Sequence, residues 1–340
     1  MKVLVTGATG FVGAHTVAAL RHAGHEPRLL VRDPGRAGPA LEPLGVAGDV
    51  ELVTGDVTDG ASVKDAVAGC DAAIHAAAVV TFDRRDAERA NRVNVEGTRT
   101  VLGAARDAGL DPIVYVSSVS ALHPPTEAVL TRRSPVIPNA ELYAGSKAGG
   151  ELVARALQEE GAPVVITYPG GVWGPNDPNL GEQTRGVIWM LKLAYVPQTS
   201  GGYLMVDVRD LGRVHAAALV PGRGPRRYMA GGTFFNGKQL AALVSSVTGR
   251  RLVATFSPGW SLRAAGRVGD AIQQRWKGQL PFTAEGMATL VRSVPTDDRE
   301  TLEELGVAWR DPAVTVTDTV RWLYQQGRLS SRQAGRVAQR

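Results

Sequence analysis

The chain has 340 residues, 44% of them hydrophobic, 21% charged and 6% aromatic, and a formal net charge of +5. This balance excludes wholesale disorder, and the length suits either two domains or one large domain carrying a smaller lobe. A single cysteine, Cys70, excludes an internal disulfide framework and a Cys-rich metal site, which fits a reducing, cytoplasmic setting. Met1 and Lys2 lead at once into Val3–Thr6 and Gly7, too early a break for a signal peptide. The longest apolar stretch, residues 186–196, contains Lys192 and is about half of a bilayer span, so no membrane span is expected.

Short apolar runs alternate with longer Ala-rich runs over the first 120 residues. Residues 3–6, 28–31, 50–53, 72–76 and 113–117 read as strands; 12–23, 62–67 and 91–108 carry the wider apolar spacing of helices. A sixth strand at 164–167 precedes Pro169-Gly170-Gly171. Near-continuous apolar strands separated by helices imply a parallel sheet covered on both faces. The stretches 33–48 and 123–138 are rich in Pro or Gly and read as surface connections. Beyond them the pattern predicts helices at 187–193, 210–219, 237–248 and 312–326, and a strand at 204–208. The expected fold class is α/β, a Rossmann-type doubly wound parallel sheet over residues 1–170, to which 204–220 return. A smaller, interleaved C-terminal substrate-binding lobe is expected over 171–327, followed by a flexible basic tail at 328–340.

Thr6-Gly7-Ala8-Thr9-Gly10-Phe11-Val12-Gly13 follows the first strand and opens the first helix. Glycines at this spacing allow a tight turn and a close approach of backbone to a pyrophosphate, which the helix N-terminus attracts with free N–H groups. The expectation is a dinucleotide site. The residue leaving the second strand selects between cofactors: a carboxylate suits the ribose hydroxyls of NAD, a cation the extra phosphate of NADP. Here Arg32 leaves the strand with Arg36 close by, and Asp33 before Pro34 reads as a turn or cap residue, which favours NADP(H) over NAD(H).

Tyr143-Ala144-Gly145-Ser146-Lys147 places a phenol and an ammonium on one helix face, one turn apart. A lysine beside a tyrosine, together with the positive nicotinamide of an oxidised cofactor, favours the phenolate and fits the phenol for proton transfer.

In order along the chain, these motifs resemble the extended short-chain dehydrogenase/reductase superfamily of epimerases, dehydratases and reductases. The match comprises Thr6–Gly13, Gly55-Asp56-Val57, His75-Ala76-Ala77-Ala78, Asn94–Thr98, Val116-Ser117-Ser118, Tyr143–Lys147 with Glu151, and Pro169–Pro175. It covers about residues 1–250, with motifs closest to dihydroflavonol-reductase and 3β-hydroxysteroid-dehydrogenase types. The resemblance implies that Gly7, Thr9, Gly10, Phe11, Val12 and Arg32 bind cofactor, with Asp56 and Val57 at the adenine. It implies Ala76, Ala77 and Ala78 along the ribose and pyrophosphate, and Pro169 and Val172 at the nicotinamide. Ser118 would hold the substrate oxygen, with Ser117 as second choice; Asn94 would hold backbone or a water near the site, or be a helix-capping or core-satisfied amide. Tyr143 and Lys147 would be catalytic and touch cofactor, His215 a packed helix residue, and no metal is required. A homodimer is the family's usual assembly.

The implied activity is an NAD(P)-dependent oxidoreductase that moves hydride between a nicotinamide and a small-molecule carbonyl or secondary alcohol. A nucleotide-sugar epimerase is the alternative, and a non-catalytic dinucleotide sensor a further one. Val119-Ser120 stand where the family's sugar dehydratases carry an Asp-Glu pair, which speaks against dehydration. Trp189, Tyr195, Tyr203, Trp260 and Trp276 are candidates for an apolar pocket, and Arg185, Arg209 and Arg263 for a diphosphate site. The excess positive charge lies late in the chain: the last 18 residues hold four arginines and no acid. No aromatic-interleaved basic face or motif for nucleic acid accompanies it.

Overall fold

The computed structural model describes residues 1–48, 50–275 and 283–339. In chain order the first part runs β1 (Lys2–Thr6), α1 (Phe11–His22), β2 (Glu26–Val31), α2 (Ala37–Leu41), β3 (Glu51–Thr54), α3 (Gly60–Val67), β4 (Ala72–His75), α4 (Ala87–Asn91), α5 (Thr98–Asp107), β5 (Ile113–Val116), α6 (Leu142–Glu159) and β6 (Val164–Pro169). The second runs β7 (Val172–Trp173), α7 (Glu182–Leu193), β8 (Tyr195–Gln198), β9 (Tyr203–Asp207), α8 (Val208–Ala217), β10 (Arg226–Ala230), β11 (Thr233–Phe235), α9 (Gly237–Thr248), β12 (Val253–Phe256), α10 (Gly259–Arg275), α11 (Ala284–Arg292), α12 (Arg299–Leu305), α13 (Pro312–Gln325) and α14 (Ser331–Ala334).

Seven parallel strands form the main sheet in the order β10-β6-β5-β4-β1-β2-β3. Successive side chains of a strand point to opposite faces, so a strand buried on both sides must be apolar throughout. Accordingly Leu4, Leu30, Ala73, Ile113, Tyr115 and Ile166 join one core, while Val3, Val5, Leu29, Val31, Ile74 and Val114 join the other. The chain winds outward from β1 to β3 and then crosses back to β4 on the other side of β1. The switch opens a crevice at the carboxyl ends of β1 and β4, where such sheets bind ligands.

The smaller lobe is built on a three-stranded sheet, β11-β9-β7, and the pair β12-β8. Trp173, Val187, Leu191, Leu240, Val244 and Leu323 are among the side chains of its core. Ion pairs tie α8 to the late chain: Arg209 bonds Asp207 and Asp318, each at 2.7 Å, and Arg310 bonds Asp210.

Several sequence expectations change. Within 204–220, α8 packs on α1, but β9 belongs to the small sheet; the strand that returns to the main sheet is β10. The stretch 33–48 is not a plain surface connection, because it winds into short helical turns that bury Ala37, Ala40 and Leu41. The helix expected at 91–108 widens to a π-helical segment over Arg92–Gly97. The tail is not a frayed end either. Leu329, Ala334 and Val337 are buried in the small-lobe core, Arg336 Nε donates to the Val247 carbonyl at 2.9 Å, and its guanidinium also reaches the Ser246 carbonyl. These carbonyls lie in the last turn of α9, where a cation satisfies both hydrogen bonding and the helix dipole. The basic residue that suggested solvent is a helix cap. No described helix is long and apolar enough to cross a membrane.

Candidate active site

β1 delivers the chain to Gly7, which adopts φ +74°. A side chain there would also strike the next strand, since a Cβ would lie 2.6 Å from the Ala77 nitrogen. At Gly13 a Cβ would collide with the Gly7 carbonyl, so both glycines are required by backbone meeting backbone. α1 starts with Gly10 as its N-cap, no capping side chain and no acidic residue in its first turn. Its N–H groups therefore face the crevice with the positive end of the helix dipole behind them, which suits a pyrophosphate. A Cβ on Gly174 would lie 3.6 Å from the Phe11 ring, and Val12 shares a cluster with Val172. From the other lobe Asn179 reaches over the loop, accepting from Arg36 and donating to the Thr9 carbonyl at 3.3 Å.

At the end of β2, Arg32 is exposed and makes no ion pair among the described residues. Asp33 turns away: its carboxylate accepts from Gly35 N at 3.0 Å and caps the turn at Pro34–Arg36, as the sequence suggested. Across from it, Asp56 accepts from the Thr58 N–H at 2.9 Å and the Thr58 hydroxyl at 2.8 Å. Burial works against its ionisation, yet the Thr58 hydrogen bonds and the charges of Arg32 and Arg92 hold its carboxyl below the usual range. Val57 packs against Gly97 at the end of the π-helical segment.

β4 ends in His75, fully buried, with Nδ1 2.7 Å from the Thr6 hydroxyl and Nε2 3.1 Å from that of Thr98. Burial pushes its pKa down to about 3, so the ring is neutral and serves as a strut. Ala76 and Ala77 follow, their N–H groups bonded to the Thr6 carbonyl and hydroxyl, and Ala78 is exposed at the rim. Asn94 lies in the π-helical segment, a geometry frequent at functional sites. Its amide grips Val79, accepting from the N–H at 2.8 Å and donating to the carbonyl at 2.9 Å, and also donates to Ser146 at 2.9 Å. Asn94 holds the Val79 backbone and is at the same time a buried amide with its bonds satisfied, so both readings left open for it remain compatible with the structure. His215 is buried between Thr16 and Thr167 and lowered by burial to about 3, a packing residue as expected.

α6 brings Tyr143 and Lys147 to the end of β5. Lys147 is buried, donates from Nζ to the Val116 carbonyl at 2.9 Å and stands 5.0 Å from the centre of the Tyr115 ring. Burial lowers its pKa to about 8, against the charge of Glu151 one turn on. Tyr143 lies edge-on to Phe82, and the Ser118 hydroxyl accepts from Ser120 N at 3.1 Å at the end of β5. Ser117 is buried beside it. The phenol is not pulled down by Lys147 as expected: burial raises the Tyr143 pKa, Ser118 opposes the rise and the charge of Glu285 adds to it. Pro169 ends β6 against Ala230, and Val172 begins β7 beside β9.

The glycines around this helix have a packing role. A Cβ on Gly145 would lie 2.5 Å from the Asn139 carbonyl, on Gly149 2.8 Å from Val95, and on Gly150 2.5 Å from both the Asn94 carbonyl and the Tyr115 hydroxyl. α6 can thus settle against the π-helical segment and the sheet.

Two contributors had no readable signal in the sequence. Asn179 lies 170 residues from Thr9 and Glu285 lies 142 from Tyr143; no local pattern announces either contact. The proposed pocket aromatics divide. Tyr203 and Tyr195 bond Pro197 and Ser257 within the lobe, Trp189 is half-buried, Trp260 is exposed, and Trp276 lies outside the described residues. Arg185 is held by Glu182 and Arg209 by Asp207 and Asp318, while Arg263 is exposed on α10.

Comparison with known proteins agrees with this architecture. Residues 3–231 match the NAD dependent epimerase/dehydratase family. The chain is 28% identical to a putative dihydroflavonol 4-reductase of Synechocystis sp., over 95% of this chain and 94% of that protein. It is also 28% identical to a 4-hydroxy-2-methyl-3-oxo-4-farnesyl-3,4-dihydroquinoline-1-oxide ketoreductase of Stigmatella aurantiaca, over 100% and 98% of the two chains. Among solved structures, a dTDP-glucose 4,6-dehydratase double mutant from Streptomyces venezuelae with NAD bound superposes with a TM-score of 0.73. It is 26% identical, over 96% of this chain and 97% of that one. The protein belongs to the NAD dependent epimerase/dehydratase family, within the extended short-chain dehydrogenase/reductase superfamily, and is an NAD(P)-dependent oxidoreductase.

Proposed function

We propose that the protein is an NADP(H)-dependent reductase or dehydrogenase acting on a small-molecule carbonyl or secondary alcohol, with Tyr143 as its acid and base. The observation that carries this reading is the convergence of Tyr143, Ser118 and buried Lys147 at the end of β5, beside the switch-point crevice. The two relatives described above, each matched over nearly its whole length, carry the names of a putative reductase and a ketoreductase, which supports reduction over epimerisation.

The residues present fit a dinucleotide. Gly7 and Gly13 let the loop backbone pack against Ala77 and against itself with no side chain between, and the uncapped start of α1 follows directly. Ala76, Ala77 and Ala78 would line the ribose and pyrophosphate, Asp56 and Val57 the adenine, and Pro169 and Val172 the nicotinamide. Arg32, exposed and beside a carboxylate already committed to Gly35, would meet a ribose phosphate. Bound there, the cofactor supplies hydride chemistry. Tyr143 would give its phenolic proton to the substrate oxygen in reduction and take it back in oxidation. Its raised pKa keeps the proton in place until the oxygen needs it, and Ser118 would hold that oxygen in line. Lys147 supplies a positive charge under the site and, through the Val116 carbonyl, a fixed position for it.

Tyr143→Phe removes the hydroxyl with little change of shape; turnover of NADPH with a carbonyl panel should fall about 100-fold or more while cofactor affinity is kept. Retained turnover refutes the assignment. Arg32→Ala should weaken NADP(H) binding roughly tenfold and leave NAD(H) unchanged; equal losses for both remove the case for NADP(H). The ammonium of Lys147 is present below its pKa and lost above it. In the reductive direction kcat/KM is therefore expected to fall as pH rises through about 8, whereas a fall confined to the range above the ordinary tyrosine pKa would assign the limb to Tyr143 instead.

A further inference from the structure

α6 starts without a local cap. Its N-cap position is Glu141, whose side chain makes no capping bond, and its first turn carries no acid. The first N–H groups of a helix have no partner within the helix and must find one elsewhere when buried. Here they find it across the cleft: Glu285, in the first turn of α11, accepts from Leu142 N at 2.9 Å, Tyr143 N at 2.8 Å and Ala144 N at 3.0 Å. The carboxylate thus sits on the positive end of the helix that carries Tyr143 and Lys147, and it comes from the lobe expected to hold substrate.

We propose that Glu285 is a positioning residue of the active site, a cap supplied by the second lobe that fixes the first turn of α6 and places a carboxylate on the backbone of Tyr143 itself. The proposal deepens the reading of Tyr143 as the acid and base, and rests on it for its catalytic meaning. Its physical content is electrostatic. An anion near a phenol disfavours the phenolate, and Glu285 is one of the charges that raise the Tyr143 pKa. Among the described residues, the other charged or titratable groups at this corner include Glu141 before α6 and Lys147 on it, Arg292 on α11, bonded to Glu141 at 3.3 Å, Asp270 on α10, which accepts from Ala284 N at 3.3 Å, and His123 after β5. Glu285 itself is buried enough that burial raises its own pKa, and three N–H donors from α6 oppose this.

The test is a titration of Tyr143 in the full chain, read as tyrosinate absorbance after a pH jump and isolated by subtracting the same protein carrying Tyr143→Phe. Glu285→Gln keeps an oxygen that can accept from α6 but has no charge. Its single oxygen can serve Tyr143 N and Ala144 N as Oε1 does, but not Leu142 N as well, so the proposal expects a modestly lowered melting temperature and a Tyr143 midpoint lowered by about one pH unit. Glu285→Asp withdraws the charge by one methylene and should lower the midpoint by less; should Glu285→Gln not fold, this variant against wild type decides the matter. Equal midpoints in the variants and wild type overturn the proposal, including when Glu285→Ala lowers the melting temperature, because a cap of purely structural value would do that alone. The readout requires no turnover. If Tyr143→Phe remained active, the functional reading would fail while the titration would still decide the role of Glu285.

Discussion

The close approach of backbone to backbone around α6 and the glycine loop is the constraint on which the site depends. Gly150 lets α6 meet the Asn94 carbonyl and the Tyr115 hydroxyl, and Gly7 lets the first loop meet Ala77. The first contact places Lys147 within reach of the Val116 carbonyl, and the second seats the glycine loop beside it. Were either gap wider by a methyl group, the ammonium and the crevice would no longer share the end of the same strands. Glycine lowers helix stability by about 0.5–1 kcal/mol relative to alanine, and α6 carries three of them where contact demands it.

Burial decides the charges that surround this geometry. His75 and His215 are enclosed and neutral, each held between two threonine hydroxyls, so neither is available as an acid or base near neutral pH. Lys147 is enclosed as well, with no carboxylate in ion-pair contact among the described residues. Glu151, which favours its charge from one turn away, is itself engaged by Arg155 at 2.7 Å and by the Tyr168 hydroxyl. The result is a positive charge under the site and a protonated phenol above it, a pairing suited to delivering a proton to a developing alkoxide.

The first half of the fold was legible because each strand carries its own signal. β1, β2, β4, β5 and β6 are buried on both faces, so an unbroken apolar run was sufficient, and the glycine loop is local in sequence. Asp33 was readable as a cap because Pro34 follows it. The Tyr143–Lys147 pair was legible through its spacing taken together with the glycine loop that precedes it. What was not legible depends on distant partners. The cap that Glu285 places on α6, the reach of Asn179 to Thr9, and the seat of Arg336 on the end of α9 join residues far apart in the chain. In sequence Glu285 looks like an acid in the first turn of its own helix, and Arg336 like a solvated arginine. β10, rich in arginine at its start, hid its place at the sheet edge for the same reason.

The central claim is that a carbonyl is reduced between Tyr143 and a nicotinamide held in the crevice. It is tested most directly by supplying NADPH deuterated at the transferable position, together with a carbonyl panel that includes ketones, and analysing the alcohols formed. The account predicts one deuterium on the carbinol carbon of a product, stoichiometric with cofactor oxidised. Binding of NADPH with no label transferred to any carbonyl, or label retained on a tightly held cofactor while a sugar alcohol centre is inverted, would contradict it.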